Sequence, residues 1–432
     1  MIQTGKKPIT MMTLLAILSI SLVVNLPGLA VTPMLGNLSE VFPKTTQLEK
    51  QMLTVLPNLL IIPFVLLSGK LSLTRHKVAI VVVGLVVFTA CAIAYLMANS
   101  MMLLIIISCV LGCGAGLLVP LSSGLIADTF AGKYRLNKMG IKSGISNSSL
   151  VVATFIVGWL SHGNWHLPFL VYLVAIIPLV LTFWLRGIDD NAPESAATSK
   201  PGVQPQTASA VKAQPVNEAV EASATLPPAD NKVTKGFFIN RILGLMGVYA
   251  FITFSTIAIT YYCPFLIEKK DWSSSLTGTV TALFFLFMLI PGYTLPWFVK
   301  FMKKQTFVYC GILMTTGLAL FAFVPVSWVM CVGAALAGLG YGICQPIIYD
   351  KASLAVVSEN RATLALAFVL SANYIAIAIT PFIIDGCRSL FKQQGTGTFA
   401  FLLCFVLLAV YTIITVIYRK RFAFTVNRQY YS

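Results

Sequence analysis

The sequence predicts an all-α polytopic membrane protein of twelve transmembrane helices. They form two six-helix bundles related by a pseudo-two-fold axis along the membrane normal. Three observations predict this. Of 432 residues, 57% are hydrophobic and only 10% are charged, against about 25% charged in a soluble chain; the mean hydropathy is +0.86. Twelve apolar runs each approach the roughly 20 residues that cross a bilayer. A pattern, G-x-G-x-G-x-x-x-P, occurs at Gly112, Gly114, Gly116 and Pro120 and again, 226 residues later, at Gly338, Gly340, Gly342 and Pro346. The same offset carries Arg135 onto Arg361 and Asn147 onto Asn373, so two halves share one plan.

The first run, 12–35, follows Lys6 and Lys7 as a signal peptide would. It is too long for one and contains Asn25, Pro27 and Pro33, so it reads as an uncleaved span. The runs 51–71, 78–98, 101–127, 137–160 and 165–186 complete the first half, residues 1–186. Residues 187–234 interrupt the pattern with Ala, Pro, Ser, Gln, Glu and Lys, as in Thr225-Leu226-Pro227-Pro228. Such a segment has too little apolar side chain to form a core, and a disordered cytoplasmic linker is expected. The runs 238–265, 275–298, 305–324, 327–349, 361–384 and 397–418 build the second half, residues 235–432, which ends in a short cytoplasmic tail.

Charge sets the orientation. With the N-terminus in the cytoplasm, 24 of the 30 Lys and Arg residues fall inside; Lys44, Lys50, Lys269, Lys270, Arg388 and Lys392 fall outside. The positive-inside rule therefore places both termini in the cytoplasm of a cell or inner membrane. The net charge of +16 is a topology signal and an affinity for anionic lipid, and nucleic acid is not expected as a partner. The nine cysteines include no C-x-x-C pair and most sit in apolar runs; they read as small packing residues, and neither metal nor cofactor is predicted. The G-x-G-x-G runs lie inside spans with no strand before them, so they are not nucleotide fingerprints. With no nucleophile–base pair either, an enzyme is not expected.

Six spans, a long cytoplasmic loop and six more spans resemble the major facilitator superfamily over nearly the whole chain. The run Gly112 to Pro120, continuing through Ala127-Asp128-Thr129-Phe130 to Arg135, resembles the fourth span and following loop of the twelve-span bacterial drug:proton antiporters. So does Gly163-Asn164-Trp165-His166-Leu167-Pro168-Phe169 before the sixth span. Between spans two and three, Gly69, Leu71 and the basic end Arg75-His76-Lys77 match that branch, but Leu73 stands where its acid belongs and His76 where its second glycine belongs. Ser108 replaces the antiporters' arginine in span four, and Ala153-Thr154 their Gly-Pro pair in span five. The resemblance implies a secondary transporter that alternates access, acts as a monomer and couples to protons.

No Asp, Glu, Lys or Arg lies near the middle of a predicted span. The absence argues against a deeply buried proton-carrying carboxylate and against a strongly charged substrate. A neutral or amphipathic organic solute fits better. Asn25, Asn147 and Asn373 fall near mid-depth. Either they line a wet central cavity or each bonds a neighbouring backbone; the repeat offset favours the cavity for Asn147 and Asn373. Ser146 and Tyr374 are their neighbours, and Gln345 lies near the inner mouth. Spans seven and eight carry the densest aromatic patch (Tyr249, Phe251, Phe254, Tyr261, Tyr262, Phe284, Phe285, Phe287). Phe254 and Phe285 are its candidates for ligand contact, with lipid or core packing as the other reading.

Three glycines at i, i+2 and i+4 strip side chains from two faces of a helix, and the following proline loosens a turn. Spans four and ten are therefore either hinges or close static crossings. A cytoplasmic gate is expected from Gly69, Arg75, Lys77, Asp128 and Arg135, with Asp350, Lys303 and Lys304 as a possible second-half counterpart. Positive-inside decoration explains the basic residues equally well but not Asp128. Asp128, Glu40 and Asp385 are the remaining candidates for carrying a proton. The leading functional reading is proton-coupled efflux of a small organic or amphipathic compound. The alternative is a facilitator or symporter importing a neutral metabolite.

Overall fold

The computed structural model of the chain describes residues 2–6, 8–28, 41–42, 47–73, 76–160, 165–185, 233–234, 236–268, 270, 272, 275–324, 326–391 and 396–426. Arg75, Glu40 and residues 187–232 of the expected linker lie outside the described residues. Among those described, nine helical stretches are long and apolar enough to cross a membrane. One of them, Leu276–Phe323, doubles back at Lys303–Gln305, where Lys303 adopts φ 50°. That turn and two shorter apolar helices, Met11–Val24 and Val55–Leu71, bring the passes to twelve.

The first half runs α1 (Met11–Val24), α2 (Gln47–Leu71), α3 (Lys77–Met97), α4 (Met101–Thr129), α5 (Gly132–Leu160) and α6 (Leu167–Leu185). A two-residue ribbon follows, β1 (Val233–Thr234) antiparallel to β2 (Phe237–Phe238). With the isolated bridges Ile2–Ile9 and Phe237–Val356, it is the β-structure found among the described residues. The second half runs α7 (Ile239–Glu268), α8 (Ser275–Met302), α9 (Thr306–Phe323), α10 (Ser327–Leu354), α11 (Ala362–Leu390) and α12 (Thr396–Ile417). Helix starts follow ordinary capping chemistry: the Thr10 hydroxyl accepts from the Thr13 amide at 3.2 Å, and the Ser100 hydroxyl from the Leu103 amide at 3.3 Å.

The duplicated glycine pattern acts alike in both halves. A Cβ built on Gly112 would lie 2.5 Å from the Pro57 carbonyl oxygen of α2, and one on Gly116 2.6 Å from Phe64 Cβ of the same helix. Gly114 faces the other way, toward Val87 and the Gly84 carbonyl of α3. In the second half, Cβ atoms on Gly338 and Gly342 would overlap the Phe284 and Met288 carbonyl oxygens of α8. Gly340 faces the Cys310 carbonyl of α9. The i and i+4 glycines thus seat one neighbour and the i+2 glycine seats another. Real Cβ atoms essentially never approach this closely, so the crossings require glycine. Pro120 and Pro346 each lie inside the helix, one turn beyond the crossing.

The two halves meet at the end of the bundle that carries the chain termini, the terminal end below. There Gly69 of α2 abuts Ala367 of α11, Gly124 of α4 abuts Thr363 of α11, and Gly144 of α5 abuts Gly292 of α8. An N-terminal hairpin closed by Ile2 and Ile9 rests on the α4–α5 turn, where the Ala131 amide donates to the Thr4 carbonyl at 2.9 Å.

Gly338→Ala places a methyl group against an α8 carbonyl that is held by its own helix. Overpacking of this kind costs about 1–3 kcal/mol. Gly278 has nothing within 4 Å of its Cβ position, and Gly278→Ala there gains helix propensity. A lower thermal unfolding midpoint in detergent is expected for Gly338→Ala and none for Gly278→Ala; equal midpoints would refute the crossing account.

Candidate central cavity and terminal gate

A cavity of about 720 Å³, open mouth included, lies between the halves at mid-depth. From the first half come Val24, Asn25 and Pro27 of the α1 end, Asn58 and Ile61 of α2, and Leu150 of α5. From the second come Thr253 and Thr256 of α7, Phe284, Phe285 and Met288 of α8, Tyr341 and Gln345 of α10, and Asn373 and Tyr374 of α11. No acidic or basic side chain borders it among the described residues. Its polar groups are amides and hydroxyls set in an apolar and aromatic wall, with Phe284 and Phe285 edge-to-face at 5.4 Å.

Five of the eight residues expected to line a cavity do so: Asn25, Asn373, Tyr374, Phe285 and Gln345. Asn147 stands one layer behind. It is fully buried, its Oδ1 accepts from Asn25 Nδ2 at 3.0 Å, and its Nδ2 donates to the Met288 carbonyl of α8 at 3.4 Å. It therefore holds Asn25 in place and ties α5 to the other half. Ser146 donates to the Ser21 carbonyl of α1 at 2.9 Å, a helix-to-helix bond. Phe254 is buried in the core, away from the cavity lining. Asn147 and Asn373 are equivalent in the repeat but not in what they touch. The offset preserves helix position, whereas exposure depends on which neighbour covers that position.

On the second-half wall, Asn373 Oδ1 accepts from the Thr253 hydroxyl at 2.6 Å and from the Tyr341 hydroxyl at 3.3 Å. Gln345 Nε2 donates to the Tyr249 hydroxyl at 3.2 Å, and that hydroxyl pairs with Tyr349 at 2.8 Å. Sequence reasoning named Tyr249 only as part of an aromatic patch and did not pick out Asn58, Thr253 or Tyr341. Thr253 carried a usable signal: it is a hydroxyl one helical turn from Tyr249 on the span whose aromatics were already suspected.

Three ion pairs lie at the terminal end, two of them joining the halves. Lys77 Nζ meets Asp128 Oδ2 at 2.7 Å within the first half. Lys6 Nζ meets Glu359 Oε2 at 2.6 Å and also donates to the Asp128 carbonyl at the α4 C-terminus at 3.1 Å, where a cation opposes the helix dipole. Arg135 Nε meets Asp350 Oδ1 at 2.6 Å, with the Asp350 side chain wholly inaccessible and Arg135 nearly so. This last pair corrects one reading: Asp350 pairs across the halves with Arg135, while Lys303 and Lys304 are exposed. Gly69 of the expected gate sits at the α2–α11 contact. Three buried cations were missed among the described residues, Lys142, Arg241 and Lys351. Lys142, counted with the basic residues of the cytoplasmic ends, is 2% exposed inside α5, its Nζ 4.6 Å from the centre of the Tyr349 ring. Its place two turns along α5 from Arg135 was the available signal.

A profile described as Major Facilitator Superfamily matches residues 9–381. The chain is 33% identical over 124 residues to the Multidrug transporter protein MdtP of Bacillus subtilis (strain 168), a match that spans 28% of this chain and only 23% of that protein. It is 24% identical over 299 residues to the Quinolone resistance protein NorA of Staphylococcus aureus (strain MRSA252), covering 68% of each. Among solved structures, the proton:xylose symporter XylE bound to 6-bromo-6-deoxy-D-glucose superposes with a TM-score of 0.67 at 12% identity, covering 94% of this chain and 95% of that one. FucP in the outward conformation gives 0.61 at 12% identity over 93% and 97%. At these identities the structural likenesses show the fold alone.

Asp350→Asn removes the carboxylate 2.6 Å from the nearly inaccessible Arg135, and breaking a buried pair costs about 3–5 kcal/mol. The expected outcome is an opened terminal end. In a cysteine-free background, Thr363→Cys, which faces Gly124 in the closed gate, should react faster with a water-soluble maleimide once Asp350→Asn is added. Unchanged labelling would show that the pair does not hold the gate.

Proposed function

The chain belongs to the Major Facilitator Superfamily, and from that premise we propose that it exports small organic or amphipathic compounds across the cytoplasmic membrane by alternating access. The observation that carries this reading is the mid-depth cavity, bordered by both halves and lying behind a terminal end that ion pairs and glycine contacts close. A site built from two bodies changes its opening when the bodies rock about it. In this reading both termini are cytoplasmic, residues 1–186 and 235–432 are the rocking bodies, residues 187–234 link them, and a monomer suffices. The closed terminal end is then the cytoplasmic gate, and the state described is one whose cavity cannot be reached from the cytoplasm.

The two glycine crossings give the rocking a mechanical basis. Each keeps the helices of one half in backbone contact, so a half moves as a unit, while Pro120 and Pro346 supply a weakened turn near the gate. The gate is tuned to open. Lys77–Asp128 and Lys6–Glu359 are partly solvated, and such pairs contribute about 0–1 kcal/mol each. Only Arg135–Asp350 is deeply buried. The relatives are a multidrug transporter and a quinolone resistance protein; export is the direction in which a transporter lowers a drug's concentration inside a cell, and it is carried to this chain as a proposal. Coupling to protons is part of the same proposal, with Asp128 as the acid at the gate.

A second reading, a facilitator or symporter importing a neutral metabolite, is favoured by the uncharged wall of the cavity among the described residues. Substrate-dependent proton flux in liposomes separates the two. Efflux by antiport requires protons to move against the substrate, and a substrate that crosses without moving protons refutes it. Asn373→Ala removes the acceptor shared by Thr253 and Tyr341. With expression held equal, transport is expected to fall about ten-fold, the effect of one or two hydrogen bonds; unchanged kinetics would remove Asn373 from the site.

A further inference from the structure

Within the cavity wall, one side-chain polar atom is both buried and unpaired among the described residues. Gln345 is 8% exposed and borders the cavity. Its Nε2 is engaged with the Tyr249 hydroxyl at 3.2 Å, and its Oε1 is buried with no hydrogen-bond partner. Leaving a buried carbonyl oxygen unpaired disfavours the empty state, and a ligand that donates to it removes that penalty. The Tyr249–Tyr349 hydroxyl pair at 2.8 Å continues the chain behind the amide and holds it against the α7–α10 wall.

The surroundings narrow the ligand further. No acidic or basic side chain borders the cavity among the described residues, so an ammonium or a carboxylate would be desolvated there with no counter-charge. Phe284, Phe285, Tyr341 and Tyr374 present ring faces and edges, which suit a flat apolar body. Resting on the transport reading above, we infer that the substrate class is an uncharged, ring-containing compound carrying an O–H or N–H donor, and that Gln345 Oε1 accepts that donor and sets this preference. Uncharged compounds with only acceptor groups leave Oε1 as it is in the empty cavity and bind less tightly. Charged analogues of the same skeleton bind more weakly still.

The test uses the purified full-length protein and four probes on one skeleton: 2-naphthol, 2-methoxynaphthalene, 2-naphthylmethylammonium and 2-naphthoate. Dissociation constants come from thermal-shift titration. 2-Naphthol is expected to bind about ten-fold tighter than its methyl ether, the effect of one hydrogen bond to a buried acceptor, and both charged probes weaker than the ether. Gln345→Met, of nearly equal volume, should bring 2-naphthol down to the level of the ether and leave the ether unchanged. The wild-type comparison of the two neutral probes needs no variant, so a variant that fails to fold does not rescue the inference. Equal affinities for naphthol and ether, a preference that survives Gln345→Met, or tighter binding of either charged probe would each overturn it. If the ether is bound and moved into liposomes as well as naphthol, the inference fails while the transport reading stands. If none of the four is bound or moved, both fail.

Discussion

Asp350 is the residue on which the described arrangement of the two halves depends. Its side chain is wholly inaccessible and lies 2.6 Å from Arg135 of the other half. A carboxylate taken out of water costs several kcal/mol unless a cation and further hydrogen bonds compensate it. The cation comes from α5 and the acid from α10, so the pair joins the two halves in this arrangement. The halves are therefore held face to face at the terminal end, and the space above that contact becomes the cavity. A charged pair suits this place better than an apolar contact of equal strength. Under the proposed alternating access both groups would enter water when the halves part and recover their hydration, which keeps such a contact specific and reversible.

The glycine crossings set the second constraint. α4 and α10 approach their neighbours so closely that a β-carbon would meet a carbonyl oxygen at Gly112, Gly338 and Gly342. In a bilayer there is little hydrophobic drive between helices, and close backbone packing replaces it. The same two helices also carry the polar groups that matter. α10 carries Gln345 on the cavity, Tyr349 on the hydroxyl chain and Asp350 at the gate. α4 ends at Asp128, which Lys77 and Lys6 engage. Close seating at the middle of each helix fixes where its ends and its exposed face fall.

Much of this was legible in the sequence. The spans, the repeat and the membership of the family follow from composition, run length and the G-x-G-x-G-x-x-x-P offset, because each is a local or periodic property. The Lys77–Asp128 contact was anticipated because an acid at a membrane edge is rare and draws a neighbouring cation. The pairing of Arg135 with Asp350 was not, since it joins residues 215 apart through packing that no periodicity records. Lys142 was misplaced for a related reason. A count of charges by loop assigns a lysine near a helix end to water, whereas burial under Tyr349 depends on the angle at which α5 meets α10. Asn147 shows the limit of the repeat itself: equivalence of position let it be named beside Asn373, but only the packing of α1 and α8 around it decides that it supports Asn25 and does not border the cavity.

The cavity and the gate are not separate devices. Gln345 bonds the Tyr249 hydroxyl, Tyr249 pairs with Tyr349, and the next residue on α10 is Asp350. Tyr349 also forms the face over which Lys142 sits, beside the Arg135 contact on the same two helices. The Tyr249 hydroxyl bridges Gln345 and Tyr349 across the turn that contains Pro346, so a displacement at the cavity wall reaches the Asp350 end of α10 through that bridge as well as through the helix. Coupling of this kind needs no long pathway through the protein. It requires only that a single two-state contact, α5 against α10, be biased from both ends, which is the physical meaning of linkage between a binding site and a gate.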